Sequence, residues 1–142
     1  MFTVAESVTI DRPVDEVFAF FTEGRARWDE SVISEELTSP PPVGVGSTLH
    51  TRMRAVGQEF AFDWRVTGYE PGSRMAITST SGVMATSSEL TFADANGAAL
   101  VRVRIEAEPT GVMRLAQAMI AGEVRSTLTA SLAKAKRVLE QG

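Results

Sequence analysis

Between Thr48 and Pro109 apolar and polar residues alternate almost without interruption, and this run limits the possible folds more than any other feature of the chain. Turn signals divide the run at Pro71-Gly72, Ser81-Gly82 and Asn96-Gly97, and Asn-Gly is a strong signal for a tight hairpin. Alternating strands joined by short turns are typical of an antiparallel meander that has one apolar face and one solvated face.

After Pro109-Thr110-Gly111 the spacing of apolar residues changes to three and four, which indicates a helix that continues to the end of the chain. The helix would contain about 28 residues and measure roughly 40 Å, long enough to cover the apolar face of the sheet. Its apolar stripe, which Gln117 interrupts near the start, consists of Met113, Ile120, Ala121, Val124, Leu128, Leu132, Ala135 and Leu139.

The residues before the meander predict a strand, two short helices and a second, weaker strand. Pro13 follows the first strand and suits the first turn of a helix, where its missing N–H is not needed. Gly24 ends that helix, and the segment from Arg25 to Asp29 forms a second short helix that carries Trp28.

These elements predict an α+β fold: a curved antiparallel sheet of six to seven strands around a long C-terminal helix, with two short helices between strands 1 and 2. A chain of 142 residues has the usual size of one domain, so we expect a single domain over residues 1–142. A twisted sheet wrapped around a helix leaves an apolar cavity wherever the facing side chains do not fill the space.

Composition excludes several kinds of site. The chain has no cysteine, which excludes a disulfide framework, a thiolate metal site and a cysteine nucleophile. His50 is the only histidine, so a zinc site with two histidines is excluded as well. Lys and Arg number 14 against 18 Asp and Glu, and a net charge of −4 argues against nucleic acid or anionic lipid as a partner. We expect neither a metal nor a cofactor.

The first residues, Met1 to Ser7, have no basic start and no long apolar run, so they are not typical of a secretory signal. No window approaches ~18 uninterrupted apolar residues, so no membrane span is predicted. We expect a cytoplasmic protein, monomer or homodimer, whose partner is a hydrophobic small molecule.

Five segments, taken in their order along the chain, resemble the START-like helix-grip superfamily, also called SRPBCC, and within it the polyketide cyclase/dehydrase-like branch. They are a strand that runs through a proline into a helix, a tryptophan before the second strand, two glycine-containing turns and the entry to the long helix: Val8–Phe18, Arg27-Trp28, Val43–Ser47, Val66–Met75 and Glu106–Gly111. The hairpin at Asn96-Gly97 lacks the threonine that these proteins often place after the glycine, which affects only a detail of the turn.

The resemblance spans nearly the whole chain and implies a hydrophobic cavity for a lipid, sterol, polyketide or other aromatic ligand. It does not imply one reaction, because the relatives include ring-closing enzymes, dehydratases, lipid carriers, plant hormone receptors and co-chaperones. Function has to be argued from the site itself.

Residues at inward parity on the strands, together with the helix stripe, are the candidates for the cavity wall. Aromatic and methionine side chains there could clasp an apolar ligand, and buried hydroxyls need partners because an unsatisfied one costs about 1–3 kcal/mol. The same pattern is also typical of plain core packing. The candidates are Trp28, Thr51, Met53, Phe60, Phe62, Trp64, Ile77, Ser79, Met84, Thr86, Ser88, Val103, Ile105, Gln117, Ile120 and Val124.

Candidates for catalysis are few, and no catalytic residue is assigned. A cyclase or dehydratase needs a positioned group that transfers protons near neutral pH. His50 and Tyr69 have outward parity, and Asp29, near the expected mouth, is more typical of a solvated loop carboxylate than of a base. The arginines nearby are more typical of scattered surface charges than of a site for an acidic ligand: Arg25, Arg27, Arg52 and Arg54.

The leading functional hypothesis is binding of a hydrophobic small molecule in a closed cavity of roughly several hundred Å³. A polyketide cyclase, aromatase or dehydratase is the alternative, and it predicts at least one titratable side chain in the pocket. A protein-interaction module, such as a co-chaperone or a relative of translation-inhibiting toxins, predicts instead a cavity filled by Phe60, Phe62 and Trp64.

Overall fold

The computed structural model describes residues 1–142 and contains one antiparallel sheet of seven strands, two α-helices and two short 3-10 helices. The strands are β1 (Phe2–Ile10), β2 (Val32–Leu37), β3 (Thr48–Ala55), β4 (Gln58–Glu70), β5 (Arg74–Ser81), β6 (Ala85–Ala95) and β7 (Ala98–Glu108). The helices are α1 (Val14–Thr22) and α2 (Gln117–Gln141), and the 3-10 helices cover Arg25–Arg27 and Gly111–Ala116.

The strand order is β1-β7-β6-β5-β4-β3-β2, so the meander from β2 to β7 is continuous and β1 pairs with its last strand. The sheet curves into a half-barrel around α2, which confirms the predicted helix-grip fold with its short helices between strands 1 and 2. Antiparallel register places Val4 opposite Ile105 and Leu90 opposite Val103, so apolar side chains line the concave face.

Helix α1 closes one end of the half-barrel through aromatic packing. It begins after Pro13, and its buried face contains Val17, Phe18 and Phe21. The ring of Phe21 lies 4.6 Å from that of Trp28, centroid to centroid, and Trp28 Nε1 donates a hydrogen bond of 3.1 Å to the Phe21 carbonyl oxygen. These contacts hold the turn after α1 against the core.

The long helix begins later than the apolar spacing predicts. The α-helical conformation starts at Gln117, and the preceding residues Gly111–Ala116 form a 3-10 helix instead. Ala116, at the start of α2, makes no side-chain capping hydrogen bond, and no acidic residue lies in the first turn. The beginning of the helix therefore lacks the groups that stabilise a helix N-terminus. Neither helix has the combination of length and hydropathy that crossing a bilayer requires.

Only the second half of α2 packs tightly against the sheet. Leu128, Leu132, Ala135 and Leu139 are all buried there and belong to the main core cluster. In the first half of the helix, by contrast, Ile120 is only half-buried although it lies on the same stripe. The first half therefore covers the sheet without filling the space beneath it.

A bulge in β4 reverses the predicted orientation of Tyr69. Pairing with β5 shifts register between Val66 and Gly68, which inserts an extra residue and turns the following side chains to the other face. The Tyr69 ring consequently packs 5.8 Å from that of Phe18, centroid to centroid. The expectation that Tyr69 points outward was wrong, because strict alternation does not anticipate a bulge. The Arg74 guanidinium packs against Gly68 and occupies the space where the Cβ of any other residue would lie.

We expect Leu132→Ala to lower the free energy of unfolding by about 2–5 kcal/mol, because it removes a buried side chain from the helix–sheet contact. The control Val138→Ala, on an exposed position of the same helix, should change it by less than about 0.5 kcal/mol. Urea unfolding followed by circular dichroism measures both. Equal losses for the two variants would contradict the proposed packing of α2.

Candidate functional site

A cavity of about 180 Å³ lies beneath the first half of α2, where the helix stands away from the sheet. It is lined by 25 residues, of which 18 are hydrophobic. The lining includes Val56 and Val83, at the tips of the β3–β4 and β5–β6 hairpins, and Glu123 on α2, all of which are exposed to solvent. These residues mark the mouth of the cavity, and Glu123 is the charged residue there.

Most of the residues predicted from parity surround this cavity. Strands β3, β4, β6 and β7 supply the walls, the turn after α1 supplies one end, and α2 supplies the cover. The predicted residues that line it are Trp28, Met53, Phe60, Phe62, Trp64, Met84, Thr86, Ser88, Val103, Ile105, Ile120 and Val124.

The volume is smaller than the predicted several hundred Å³, because bulky aromatic side chains occupy part of the concave face. Phe62 and Trp64 stack with their ring centroids 5.1 Å apart, and both contribute to the wall. Gly82 lets the Phe62 ring approach the β5–β6 turn closely, since a Cβ at that position would collide with the ring. The aromatic residues thus narrow the cavity without filling it.

Two predicted residues, Thr51 and Ile77, point inward but lie outside this cavity. Thr51 is fully buried, and its hydroxyl donates a hydrogen bond of 2.7 Å to Glu35 Oε2. Ile77 belongs to a second apolar cluster with Trp64 and Met75 and lines a separate space of about 240 Å³ near the end of α1. Parity predicts the face of the sheet on which each side chain lies, but it does not predict which part of that face borders the cavity.

Ser79 and Gln117, also predicted for the cavity wall, lie outside this cavity, and each side chain makes hydrogen bonds elsewhere. Ser79 Oγ accepts a hydrogen bond of 2.9 Å from the backbone N–H of Thr86, so its hydroxyl serves the strand pair β5–β6. Gln117 lies at the start of α2 and bonds to the first residue: its Nε2 donates to the Met1 carbonyl oxygen at 3.3 Å, and its Oε1 accepts from the N-terminal amine at 3.4 Å.

Arg25, which lines the cavity, forms a buried ion pair with Glu35. Arg25 donates to Glu35 Oε2 from Nε at 2.7 Å and from Nη2 at 2.6 Å, and its Nη2 also donates to Thr51 Oγ1 at 3.2 Å. The side chains of Arg25 and Glu35 retain only 13% and 8% of their exposure. The Arg25 guanidinium carbon lies 5.1 Å from the centroid of Trp64, a cation–π distance, and Arg25 lines both spaces.

The two charges of this pair hold each other ionised. Burial by itself raises the pKa of Glu35, but the attraction of Arg25 and the hydrogen bonds from Arg25 and Thr51 outweigh it and leave the pKa below the ordinary 4.5. Burial likewise lowers the pKa of Arg25, and the attraction of Glu35, its hydrogen bond and the nearby charge of Asp29 raise it by more. The wall therefore carries a fixed guanidinium enclosed by carboxylates.

Groups suited to proton transfer are scarce at the cavity. Asp29 lines it, but its Oδ1 accepts hydrogen bonds from both the N–H and the hydroxyl of Ser31, at 3.0 and 2.6 Å. His50 lies on the solvated face of β3, where its Nδ1 is 2.8 Å from Asp63 Oδ1. No three His, Cys, Asp or Glu side chains converge to form a metal site. The carboxylates of the lining are therefore Asp29, which is bonded to Ser31, and Glu123, which lies at the exposed mouth.

Comparison with known proteins identifies a family and several solved structures that share this architecture. Residues 1–140 match the family described as polyketide cyclase / dehydrase and lipid transport. The chain belongs to this family. A search of curated protein sequences returned no match.

Solved structures share the family fold over almost the whole chain at low identity. A START superfamily protein from Mycobacterium smegmatis has 17% identity and a TM-score of 0.77, with 98% of this chain and 97% of that chain covered. The Zhui aromatase/cyclase from Streptomyces sp. R1128 has 15% identity and a TM-score of 0.77, with 99% and 94% covered. A Deinococcus radiodurans protein has 22% identity and a TM-score of 0.75, with 99% of both chains covered. At these identities the likeness concerns the fold alone.

Arg25 is the main residue of the cavity wall that the sequence pattern does not identify. It was interpreted as one of several surface arginines, although the structure buries it beside Trp64. The signal that could have identified it is Glu35. This residue shares strand parity with the half-buried Leu37, so its carboxylate lies on the inner face of the sheet and needs a cation there. Arg27, Arg52 and Arg54 are exposed, as the surface interpretation predicts.

We expect Glu35→Gln to lower the free energy of unfolding by about 3–5 kcal/mol at neutral pH, because Arg25 is then buried without its counter-charge. The control Glu36→Gln, on the neighbouring exposed position, should change it by less than about 0.5 kcal/mol.

The pH dependence provides a second readout. Because the pKa of Glu35 is depressed in the folded state, its contribution is complete above 4.5 and is lost as the pH falls through the folded-state value. Urea unfolding at neutral and acidic pH should therefore show a smaller acid-induced loss for Glu35→Gln than for the unmodified protein. Equal stability of the two glutamine variants would show that the pair is not as buried as described.

Proposed function

We propose that the protein binds a small hydrophobic molecule, of the size of a single substituted ring or a short acyl chain, in the cavity beneath α2. The observation that carries the proposal is the combination of an apolar lining, 18 hydrophobic residues of 25, with a volume of about 180 Å³. The family description, which includes lipid transport, supports this class of ligand.

The volume limits the ligand. An apolar cavity of roughly 150 Å³ in an unrelated protein stays dry and takes up benzene, so a space of this order suits one ring. Each Å² of apolar surface that the ligand buries contributes about 25 cal/mol, so a few hydroxyls and donors are needed only to orient it. Thr86 and Ser88 on β6 supply hydroxyls to the lining.

A cyclase or dehydratase acting on a polyketide-like substrate is the second candidate, and the position of Asp29 favours it. This carboxylate lines the cavity, and the family description names polyketide cyclase and dehydrase. Binding remains the preferred function because Asp29 is engaged with Ser31 and no imidazole lines the chamber.

Under the proposal residues 1–142 act as one START-like domain, since a single meander supplies the walls and the helix that follows it supplies the cover. We propose the cytoplasm as its compartment and a monomer or homodimer as its state.

Filling the cavity tests the proposal. We expect ethylbenzene to raise the melting temperature of the unmodified protein, because a ligand that binds only the folded state stabilises it. Ile120→Trp places a larger side chain in the cavity cover and should weaken ethylbenzene binding by at least about tenfold in calorimetry.

The matched control is Met119→Trp, which adds the same side chain at an exposed neighbouring position outside the lining and should leave affinity unchanged. Native mass spectrometry of protein purified from its source should in addition show a bound small molecule. Absence of a bound molecule, with no stabilisation by ethylbenzene, naphthalene or hexanoate, would overturn the proposal.

A further inference from the structure

One hydrogen-bond donor in the cavity wall has no partner within the protein. Trp64 is 2% exposed and lines the cavity, and its Nε1 is the only fully buried side-chain polar atom without a hydrogen bond. The other tryptophan, Trp28, lines the same cavity but already donates to Phe21. Buried donors are nearly always satisfied, so an unpartnered indole N–H on a residue that lines a ligand-sized chamber indicates an acceptor that the protein does not itself provide.

Arg25 adds a second donor on the same wall. Its Nε and Nη2 are engaged by Glu35 and Thr51, whereas its Nη1 makes no hydrogen bond within the protein. The guanidinium lies over the Trp64 ring, so the two donors belong to one region of the lining. This part of the wall therefore carries two donors without a partner in the protein, the Trp64 N–H and the Arg25 Nη1.

The charges around these donors argue against an anionic ligand. The guanidinium is paired with Glu35 and also experiences the charge of Asp29, which lines the cavity. Glu123 adds a further carboxylate at the mouth. With one cation against three carboxylates, an entering anion would meet more repulsion than attraction, whereas a neutral acceptor meets none.

Resting on the proposed function, we infer that the ligand is a small neutral apolar molecule with a carbonyl oxygen, which accepts a hydrogen bond from the indole N–H of Trp64. The Nη1 of Arg25 is a second donor in the same region of the wall. A neutral aromatic ketone of one ring has the required size, polarity and charge.

The experiment compares acetophenone with ethylbenzene, which has a similar shape but no carbonyl, by calorimetry on the unmodified protein and on Trp64→Phe. The phenyl ring preserves an aromatic wall and removes the N–H. We expect the substitution to weaken acetophenone about fivefold relative to its effect on ethylbenzene, the size of one hydrogen bond. Benzoate should bind more weakly than acetophenone to the unmodified protein.

The matched control is Trp28→Phe, which removes an N–H that is already bonded to Phe21 and should change both affinities by the same factor. An equal effect of Trp64→Phe on the two ligands, or tighter binding of benzoate, would overturn the inference and leave the proposed function standing. If neither acetophenone nor ethylbenzene binds the unmodified protein and no bound molecule is found by native mass spectrometry, the proposed function falls together with the inference.

A measurement on the unmodified protein does not depend on the variants being stable. The chain has 2 tryptophans, so its nitrogen-15 spectrum contains two indole N–H signals, which either phenylalanine variant assigns. We expect acetophenone, compared with ethylbenzene, to move the Trp64 signal downfield and to leave that of Trp28 in place. No difference between the two ligands at Trp64 would contradict the inference.

Discussion

A single helix has to cover the concave face of a seven-stranded sheet, and this constraint shapes the rest of the molecule. The second half of α2 meets it by direct packing, with Leu128, Leu132 and Leu139 buried against the core. The first half does not, and α1 with Trp28 closes only one end of the remaining space. The cavity is therefore a consequence of geometry: the curved sheet offers more apolar surface than one helix can cover.

The polar wall of the cavity is held by a few bonds that depend on one another. Glu35 keeps the Arg25 guanidinium in place, Thr51 adds a hydroxyl to the pair, and the guanidinium lies across Trp64. Because a buried charge without a partner is far more costly than a paired one, these residues form a unit. The guanidinium that packs against the Trp64 ring is thus itself held in place by Glu35 and Thr51.

Strand parity was sufficient to predict the fold and most of the cavity wall. Phe62, Trp64 and Val103 line the chamber because alternation along regular strands decides which face a side chain takes. Where a bulge interrupts alternation, the method fails, and Tyr69 is the example.

The other departures have a different physical origin. Parity assigns a face but not a depth, so Thr51 and Ile77 were grouped with residues farther along the sheet. The bonds of Gln117 to Met1 join residues 116 positions apart, a contact that no local pattern carries. Arg25 was missed because its burial depends on Glu35, which lies on another element.

Stability alone does not account for a charged pair at the wall of an apolar chamber. Replacing a buried ion pair by hydrophobic residues of similar volume is often neutral or stabilising, so the fold would lose little by an apolar wall here. An entirely apolar wall could not discriminate between ligands by their polar groups, because burial of apolar surface favours any ligand of suitable size. Under the proposed function, fixed donors held by Glu35 and Thr51 would distinguish ligands by the acceptors they carry, since a site built to hydrogen-bond a group discriminates strongly against an analogue that lacks it. If the cavity binds a ligand as proposed, its shape and apolar area limit the size of that ligand, and Arg25 and Trp64 provide the donors that select among ligands of that size.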